Sequence, residues 1–576
     1  MVLSSPPENA PSLVLIEGSF TAIAIALAFC WPKLGFAWFS RVEHAFYKLA
    51  RRKSLSVVVV GFTAFFLRLA ILPQCPIPLP FLPDDFSFLL AADTFASGKL
   101  TNPTPAMWVN LQSIHVTMKP TYMSMYFPAQ GLVLAAGKVL TGHPWLGDLV
   151  ITALMCAAIC WMLQAWLPPT WALLGGMLSI LRLGLFSYWI NTYSGAGSIV
   201  ALGGALVLGG LPRFVKYVRF RDALLMAVGV VLLALCRPYD GMLLCIPVAC
   251  YLIWWMVFGK NRPSASLLLR RIAVPLALVA AGLAWMGYYD YRAFGNPLTL
   301  SYTVNRAQFA TAPYFIWQSQ RPEPAYPYQK MREFYQIELN SYQKIHSLRG
   351  FLPQTLLKAA RGIIFYTGVL LLLPLIMLGS VFRDRRTRFL VLCCFVLALG
   401  QLIEIFLIPH YLAPFTAAFY AIGLQAMRHL RFWTPEGEPV GVTLQRLIVT
   451  LCVVMAVVRL YAEPLHLALP VWPAAWAAEW YGPNNRSGTE RENIVAQLDQ
   501  LPGKKLLIVR YSSDHNPMVE WVYNTSDIDN SKVVWAWDMD DANNQKLIRY
   551  YKDRTVWLVE PDATPARISP FPQPVK

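Results

Sequence analysis

The sequence predicts a polytopic α-helical membrane protein that carries a small soluble α/β domain at its C-terminal end. Three observations lead there. Of 576 residues, 56% are hydrophobic and only 14% are charged, where a soluble domain holds about 25% charged residues. Apolar runs of about 18 residues or more recur along most of the chain, the length a bilayer-spanning helix needs. From residue 484 or so the pattern changes to short β-branched and aromatic runs alternating with helical ones. A large soluble protein with buried helices does not give that succession.

Taken in order, the apolar periodicity predicts about twelve transmembrane helices: 13–31, 55–73, 146–166, 171–189, 194–211, 222–236, 241–258, 272–290, 361–380, 388–409, 411–427 and 446–462. The first is too long for a cleaved signal peptide and has neither a basic region before it nor a small-residue cleavage site after it. Orientation follows from the basic residues. Loop 32–54 carries Lys33, Arg41, Lys48, Arg51, Arg52 and Lys53, and loops 212–221, 259–271 and 381–388 and segment 428–446 are similarly rich in Lys and Arg. With these spans all five fall on one side, which the positive-inside rule makes the cytoplasm. The +17 formal charge is thereby assigned to topology, and the nucleic-acid reading it invites loses its support.

The opposite side then receives both termini, the large loops 74–145 and 291–360, and the tail from 463. In loop 74–145, residues 86–97 have a helical pattern, and 129–141 (AQGLVLAAGKVLT) are apolar but too short to span comfortably, which predicts a helix lying along the interface. Loop 291–360, rich in Tyr, Pro, Gln and Arg, suits an ordered cover over a site.

In the tail, Thr489-x-x-Glu492 reads as a capping box opening a helix over 490–500. Strands are predicted at 504–511, 531–538 and 554–560, with a helix starting at Asn516–Pro517 and another over 542–551 capped by Asp541. Strands alternating with helices predict parallel pairing. Asp538, Asp540 and Asp541 invite a cation-site reading, but the helical run that follows favours capping. The ten cysteines lie mostly inside apolar runs and show no metal or disulfide framework.

Polar groups at the outer ends of spans are functional candidates, because an unsatisfied polar group there is costly. The foremost is Asp84–Asp85 in FLPDDFSFLLAADTF (81–95). One carboxylate at a membrane surface can act as general base on an acceptor hydroxyl, and its neighbour can raise its pKa by like-charge repulsion or bind a cation or acceptor. The competing role is N-cap of the helix that follows, and the two are compatible. Asp93, about two turns on, reads as a supporting polar contact. Arg237, in CRPYDG (236–241), ends a span and is suited to phosphate oxygens or to a salt bridge with Asp240. Arg182 lies inside a span and needs a carboxylate or ligand partner. Asn191 marks an outer turn. His410–Tyr411, in IPHYLAP, offers donors to a phosphate or acceptor, or caps a helix. Glu404 reads as a structural pair with a neighbouring helix.

Together, the acidic pair in the first large outer loop, the Tyr126-x-Pro128 entry to the interfacial helix, and the His410-Tyr411-x-x-Pro414 turn resemble the GT-C glycosyltransferases over residues 55–430. The branch is similar to the family 39 protein O-mannosyltransferases and lipid A aminoarabinose transferases. The resemblance implies a GT-C-like fold and a polyprenyl-phosphate-linked sugar as donor. It also implies transfer at the outer membrane face, with Asp84 as base and Asp85 in the second position of the acidic pair. This chain has Tyr126-Phe127-Pro128 where the family often has Tyr-Pro-Pro, and His410-Tyr411 where many members have Arg-Tyr. The first helix and the α/β tail lie outside the shared pattern.

The expected organisation is an extra N-terminal transmembrane helix and cytoplasmic basic loop (1–54), a transmembrane catalytic domain (55–462) and an outer α/β domain (463–576). The expected activity is an inverting transfer from polyprenyl phosphate to an acceptor hydroxyl or amine on a lipid, glycan or protein. Arg237, Arg182 and His410 would stabilise the departing phosphate, with Tyr411, Asn191, Tyr126 and Asp93 as further substrate contacts. No cofactor is required by the sequence, and a divalent cation near Asp85 is compatible with it. Membrane lipids are expected partners, nucleic acid is not, and a bacterial inner membrane is the expected location. A lipid or solute transporter and a membrane glycan ligase are the alternative readings.

Overall fold

The computed structural model describes residues 12–194, 196–260, 262–462, 464–467 and 486–572. Seven helices in it are long and apolar enough to cross a bilayer: Leu13–Cys30, Lys53–Ala70, Trp145–Trp166, Gly197–Tyr217, Pro238–Phe258, Ala265–Phe294 and Val440–Leu460. An eighth span is formed if Arg349–Thr367 and Leu370–Arg383, which meet at a 107° bend, count as one. The other four predicted segments are shorter or broken. Phe220–Ala234 has 15 residues, while Arg388–Ile403 and Thr416–Arg431 have 16 each. At about 1.5 Å per residue these fall short of an approximately 30 Å hydrocarbon core. The predicted span 171–189 breaks after Pro169–Ser179 into a π turn, Ile180–Gly184, and a single turn, Tyr188–Asn191.

Side-chain exposure sorts these helices. Gly197–Tyr217 is buried nearly all round, whereas Ala265–Phe294 buries only five of its 30 residues and exposes Leu269, Leu276 and Leu283. In lipid such apolar faces need no protein partner, so close approach of small residues carries the packing. Gly203 and Gly229 provide it: a Cβ on either would press on the other's carbonyl oxygen.

Contacts gather the five basic segments at one end. Glu43, on the amphipathic helix Phe36–Arg51, accepts from Arg431 and Arg446 at 3.0 and 2.9 Å. Gln164 donates to the Lys53 carbonyl at 2.9 Å, and Arg213 to the nearby Trp161 carbonyl at 2.7 Å. Arg219, Arg221 and Arg271 line one surface depression, and Gln425 bonds Asp384.

At the other end lies a polar cap. It comprises helices Pro83–Ala96, Pro128–Thr141, Ser301–Phe309 and Gln329–His346, with a small antiparallel sheet ordered Asn102–Pro103, Thr121–Ser124, Val116–Thr117. The helix expected over 129–141 is present; its exposed Val139 and Leu140 suit an interfacial position.

The tail forms a four-stranded sheet in the order Val533–Trp537, Lys504–Val509, Arg554–Glu560, Arg567–Pro570, the first three parallel and the last antiparallel. Its central strand is buried on both faces, as expected of a parallel sheet. Leu507 and Val509 pack toward helix Arg486–Asp499 and toward Phe81 and Leu82 of the cap. Leu506 and Ile508 pack toward Leu547 and toward Leu90, Leu111 and Tyr122 of the cap. Three expectations change. Thr489 lies within the helix rather than at its start, since that helix is already formed at Arg486. No helix follows Asn516–Pro517; Asn516 instead makes a local turn, its side chain accepting from the Met518 amide. The cap of helix Asp541–Tyr550 is Asp540, not Asp541. Asp538 pairs with Arg510 and Asn544, so Asp538 and Asp540 serve the chain's own structure.

Candidate functional site

Pro83 opens the acidic helix at its first position, where a missing N–H is harmless. Asp85, at the third, reaches back: one carboxylate oxygen accepts from the Phe81 and Leu82 amides, both at 3.3 Å, and the other from the Tyr193 amide at 3.0 Å. With 3.6 residues per turn, Asp84 points about 100° away. It enters a cavity of ≈ 260 Å³ at the junction of cap and bundle.

Two partners hold Asp84 there. Tyr126 donates its hydroxyl to the Asp84 carboxylate, and His115 Nδ1 lies 3.1 Å from Asp84 Oδ1 and 3.1 Å from the Tyr126 hydroxyl. The Tyr126 ring is fixed by stacking on Phe88 at 4.3 Å. His115 sits in a left-handed backbone conformation (φ 62°), uncommon for a residue other than glycine. Its carbonyl is anchored by Ser87 Oγ at 2.7 Å and the Met125 amide at 3.1 Å. Burial raises the Asp84 carboxyl, but the charge of His115 and the bonds from His115 and Tyr126 more than offset it, leaving Asp84 below its ordinary value. Burial, reinforced by the charge of Asp84, lifts Asp85 to about 7 despite its backbone donors. Neighbouring carboxyls are thus driven apart in acidity by environment.

The opposite lining comes from the bundle. Arg237, just before helix Pro238–Phe258, donates through Nε to Asp240 at 2.5 Å, and its guanidinium lies 3.7 Å from the centre of the Tyr411 ring. That contact leaves the Nη edge as the guanidinium's further donor surface in a residue that lines the cavity. Asp240 also accepts from Gln401, which donates to Glu404 as well (3.2 and 3.1 Å). His410 bonds Tyr188 twice. Its backbone N–H donates to the Tyr188 oxygen at 3.1 Å, and its Nδ1 lies 2.7 Å from the same oxygen. With the Tyr188 hydroxyl as donor to Nδ1, the ring is neutral and carries its proton on Nε2. Segment Pro409–Phe415 lies against Gly204, where any Cβ would overlap the Pro414 carbonyl oxygen. Loop 291–360 contributes Tyr302 and Tyr314 to the wall. It is strapped down by backbone bonds from Ile405 to Tyr314 and from Ile316 to Ile403, each 2.9 Å.

Five sequence candidates, Asp84, Tyr126, Arg237, His410 and Tyr411, therefore meet around one cavity. Asp85 does not line it. Asp93 bonds Lys138 at 2.5 Å and Tyr523 at 3.2 Å, on the side of the helix that meets the tail. Arg182 donates to the Phe365 and Ile364 carbonyls at 2.9 and 2.6 Å, filling the helix end left open at the 107° bend. Asn191 bonds Arg68 and the Leu185 and Ser187 carbonyls. His115 was not singled out by the sequence, having no motif around it. Glu404, read there as a structural pair with a neighbouring helix, accepts instead from Gln401 of the helix it ends, and it lines the cavity.

A metal between Asp85 and a phosphate does not fit this arrangement, because both Asp85 oxygens face backbone donors. Among the described residues no group of three His, Cys, Asp or Glu side chains is placed to hold a metal ion.

No family model matches the chain, and no curated protein matches it in sequence. Among solved structures it is similar to ArnT from Cupriavidus metallidurans bound to undecaprenyl phosphate, at 14% identity over 88% of this chain and 92% of that one, with a TM-score of 0.48. It is also similar to the Archaeoglobus fulgidus oligosaccharyltransferase in complex with Zn and sulfate (10% identity, 88% and 67% covered, TM-score 0.45). A third similar structure is the same organism's AglB with an inhibitory peptide and a dolichol-phosphate (10%, 88% and 69%, 0.44).

Proposed function

We propose that this chain is a membrane glycosyltransferase. It moves a sugar from a polyprenyl-phosphate-linked donor to an acceptor hydroxyl or amine at the outer membrane face, with inversion at the anomeric carbon. The observation that carries the reading is the two-sided cavity. An acid held ionised, Asp84, occupies one wall, and the cation Arg237 with the neutral donor His410 occupies another.

The chemistry follows from that polarity. Asp84 takes the proton of the acceptor as its oxygen or nitrogen attacks the anomeric carbon. The bond from that carbon to the phosphate oxygen breaks, and the phosphate leaves with a developing negative charge. The Nη edge of Arg237 and the Nε2–H of His410 meet that charge, an electrostatic contribution that grows toward the transition state. One displacement needs no second carboxylate as nucleophile, which agrees with Asp85 being turned into the backbone. Phe88, Phe127, Tyr302 and Tyr314 supply apolar walls around these polar groups, the usual make-up of a small-molecule site.

The test is incubation of purified protein with a panel of polyprenyl-phosphate sugars and measurement of released polyprenyl phosphate. Asp84→Asn should lower turnover by about 10²–10⁴-fold, the range for removing a general base, with insertion and melting behaviour retained. Wild-type turnover in that variant would sink the assignment.

A further inference from the structure

Glu520 belongs to the C-terminal domain, far in sequence from the acidic helix, and it is buried. Its backbone N–H donates to the Phe81 carbonyl at 2.9 Å, two residues before the first turn of that helix. Its carboxylate Oε2 accepts from Ser113 Oγ at 3.0 Å, two residues before His115. Its other oxygen, Oε1, accepts from Tyr511 Oη and from the Trp521 and Val522 amides at 2.8–3.0 Å, which locks the side chain to the domain that carries it. One residue thus grips both strands of chain whose side chains, Asp84 and His115, meet in the cavity. The neighbouring contacts act in the same sense: Trp537 Nε1 and Tyr328 Oη both donate to the Gln112 carbonyl, at 2.8 and 3.1 Å.

We infer that Glu520 is a positioning residue, and that the C-terminal domain serves as a clamp setting His115 against Asp84. The inference rests on the glycosyltransferase reading above for its kinetic consequences, but not for its geometry. His115 is held at a left-handed backbone angle that most residues leave when unrestrained. The Ser113 tie is the side-chain bond between that turn and Glu520. If it is cut, the turn loses a constraint on the side facing the tail, while Ser87 and Met125 still hold the His115 carbonyl. The ring then spends less time beside Asp84, and the carboxylate loses a group that keeps it ionised.

Ser113→Ala removes the hydroxyl without touching either side chain at the cavity; Ser113→Thr keeps it. In full-length protein, Ser113→Ala should lower kcat by about ten-fold, a modest part of what a misplaced catalytic geometry can cost, with the donor KM unchanged. The acid limb of the pH profile should move to higher pH, since the Asp84 carboxyl rises toward its ordinary value once His115 loosens. Ser113→Thr should restore both. The ring itself is read without turnover by ¹⁵N-histidine NMR, its resonances assigned by difference from His115→Gln; they should move in Ser113→Ala and return in Ser113→Thr. Unmoved His115 resonances overturn the clamp, as does a kcat loss that merely tracks lost folded protein with the acid limb in place. Absence of polyprenyl phosphate release by the wild-type protein overturns the glycosyltransferase reading instead, and the NMR result then decides the clamp alone.

Discussion

A carboxylate at the third position of a helix reaches back to amides that precede it, whereas one at the second projects outward. Asp85 and Asp84 occupy those positions, so adjacent identical residues acquire different work. The three amides on Asp85 use both of its oxygens. Asparagine keeps one acceptor and turns an NH₂ group on a donor. Asp85→Asn should therefore lower stability by about 1–3 kcal/mol, the cost of leaving a buried polar group unsatisfied. It should leave turnover per folded molecule within a few-fold of wild type. Thermal unfolding followed beside the release assay checks this; an unchanged melting temperature with turnover abolished would reverse the roles assigned to the pair.

Elements were legible in the sequence where an apolar period runs unbroken, as over 145–166, and less so where polar residues or breaks shorten a helix. Segment 171–189 shows the difference: it is apolar enough to span, yet Arg182 is drawn to the carbonyls at the 107° bend of another span, and the local helix opens into a π turn. Asp84, Tyr126, Arg237 and His410–Tyr411 were legible because acids, cations and hydrogen-bonding residues stand out at the ends of apolar runs. His115 was not, because its contact with Asp84 depends on a turn and a short sheet that no period announces. Element packing also makes a prediction. Helix Gly197–Tyr217 meets segment Pro409–Phe415 at Gly204, where a methyl group has no room beside the Pro414 backbone. Gly204→Ala should push that segment away and weaken donor binding, raising KM by about ten-fold or more with a lowered melting temperature; overpacking of this kind typically costs about 1–3 kcal/mol. Gly423→Ala, where a Cβ meets nothing within 4 Å, is the control. Equal KM values for the two variants would mean the segment does not shape the donor site.

At the scale of the whole molecule, charge and geometry give the chain two different ends. Glu43, Lys53, Arg213, Asp384, Arg431 and Arg446 are joined by contacts at one end. The cavity, its cover and the α/β tail occupy the other, where the tail shares both of its core faces with the cap. Two segments that share one buried core lie on the same side of the membrane, so the tail and the cap do. We propose that the Lys and Arg excess places the first end in the cytoplasm, and with it the tail on the outer side. Single cysteines introduced at Lys48 and at Lys552, in a background with the exposed native Cys30 and Cys250 replaced, test this directly. In intact cells an impermeant maleimide should label Lys552→Cys and spare Lys48→Cys, with both labelled after permeabilisation. The opposite pattern would place the Asp84 cavity on the cytoplasmic side. The donor reading would then fail with it, since an outer-face transfer needs cavity and tail outside together.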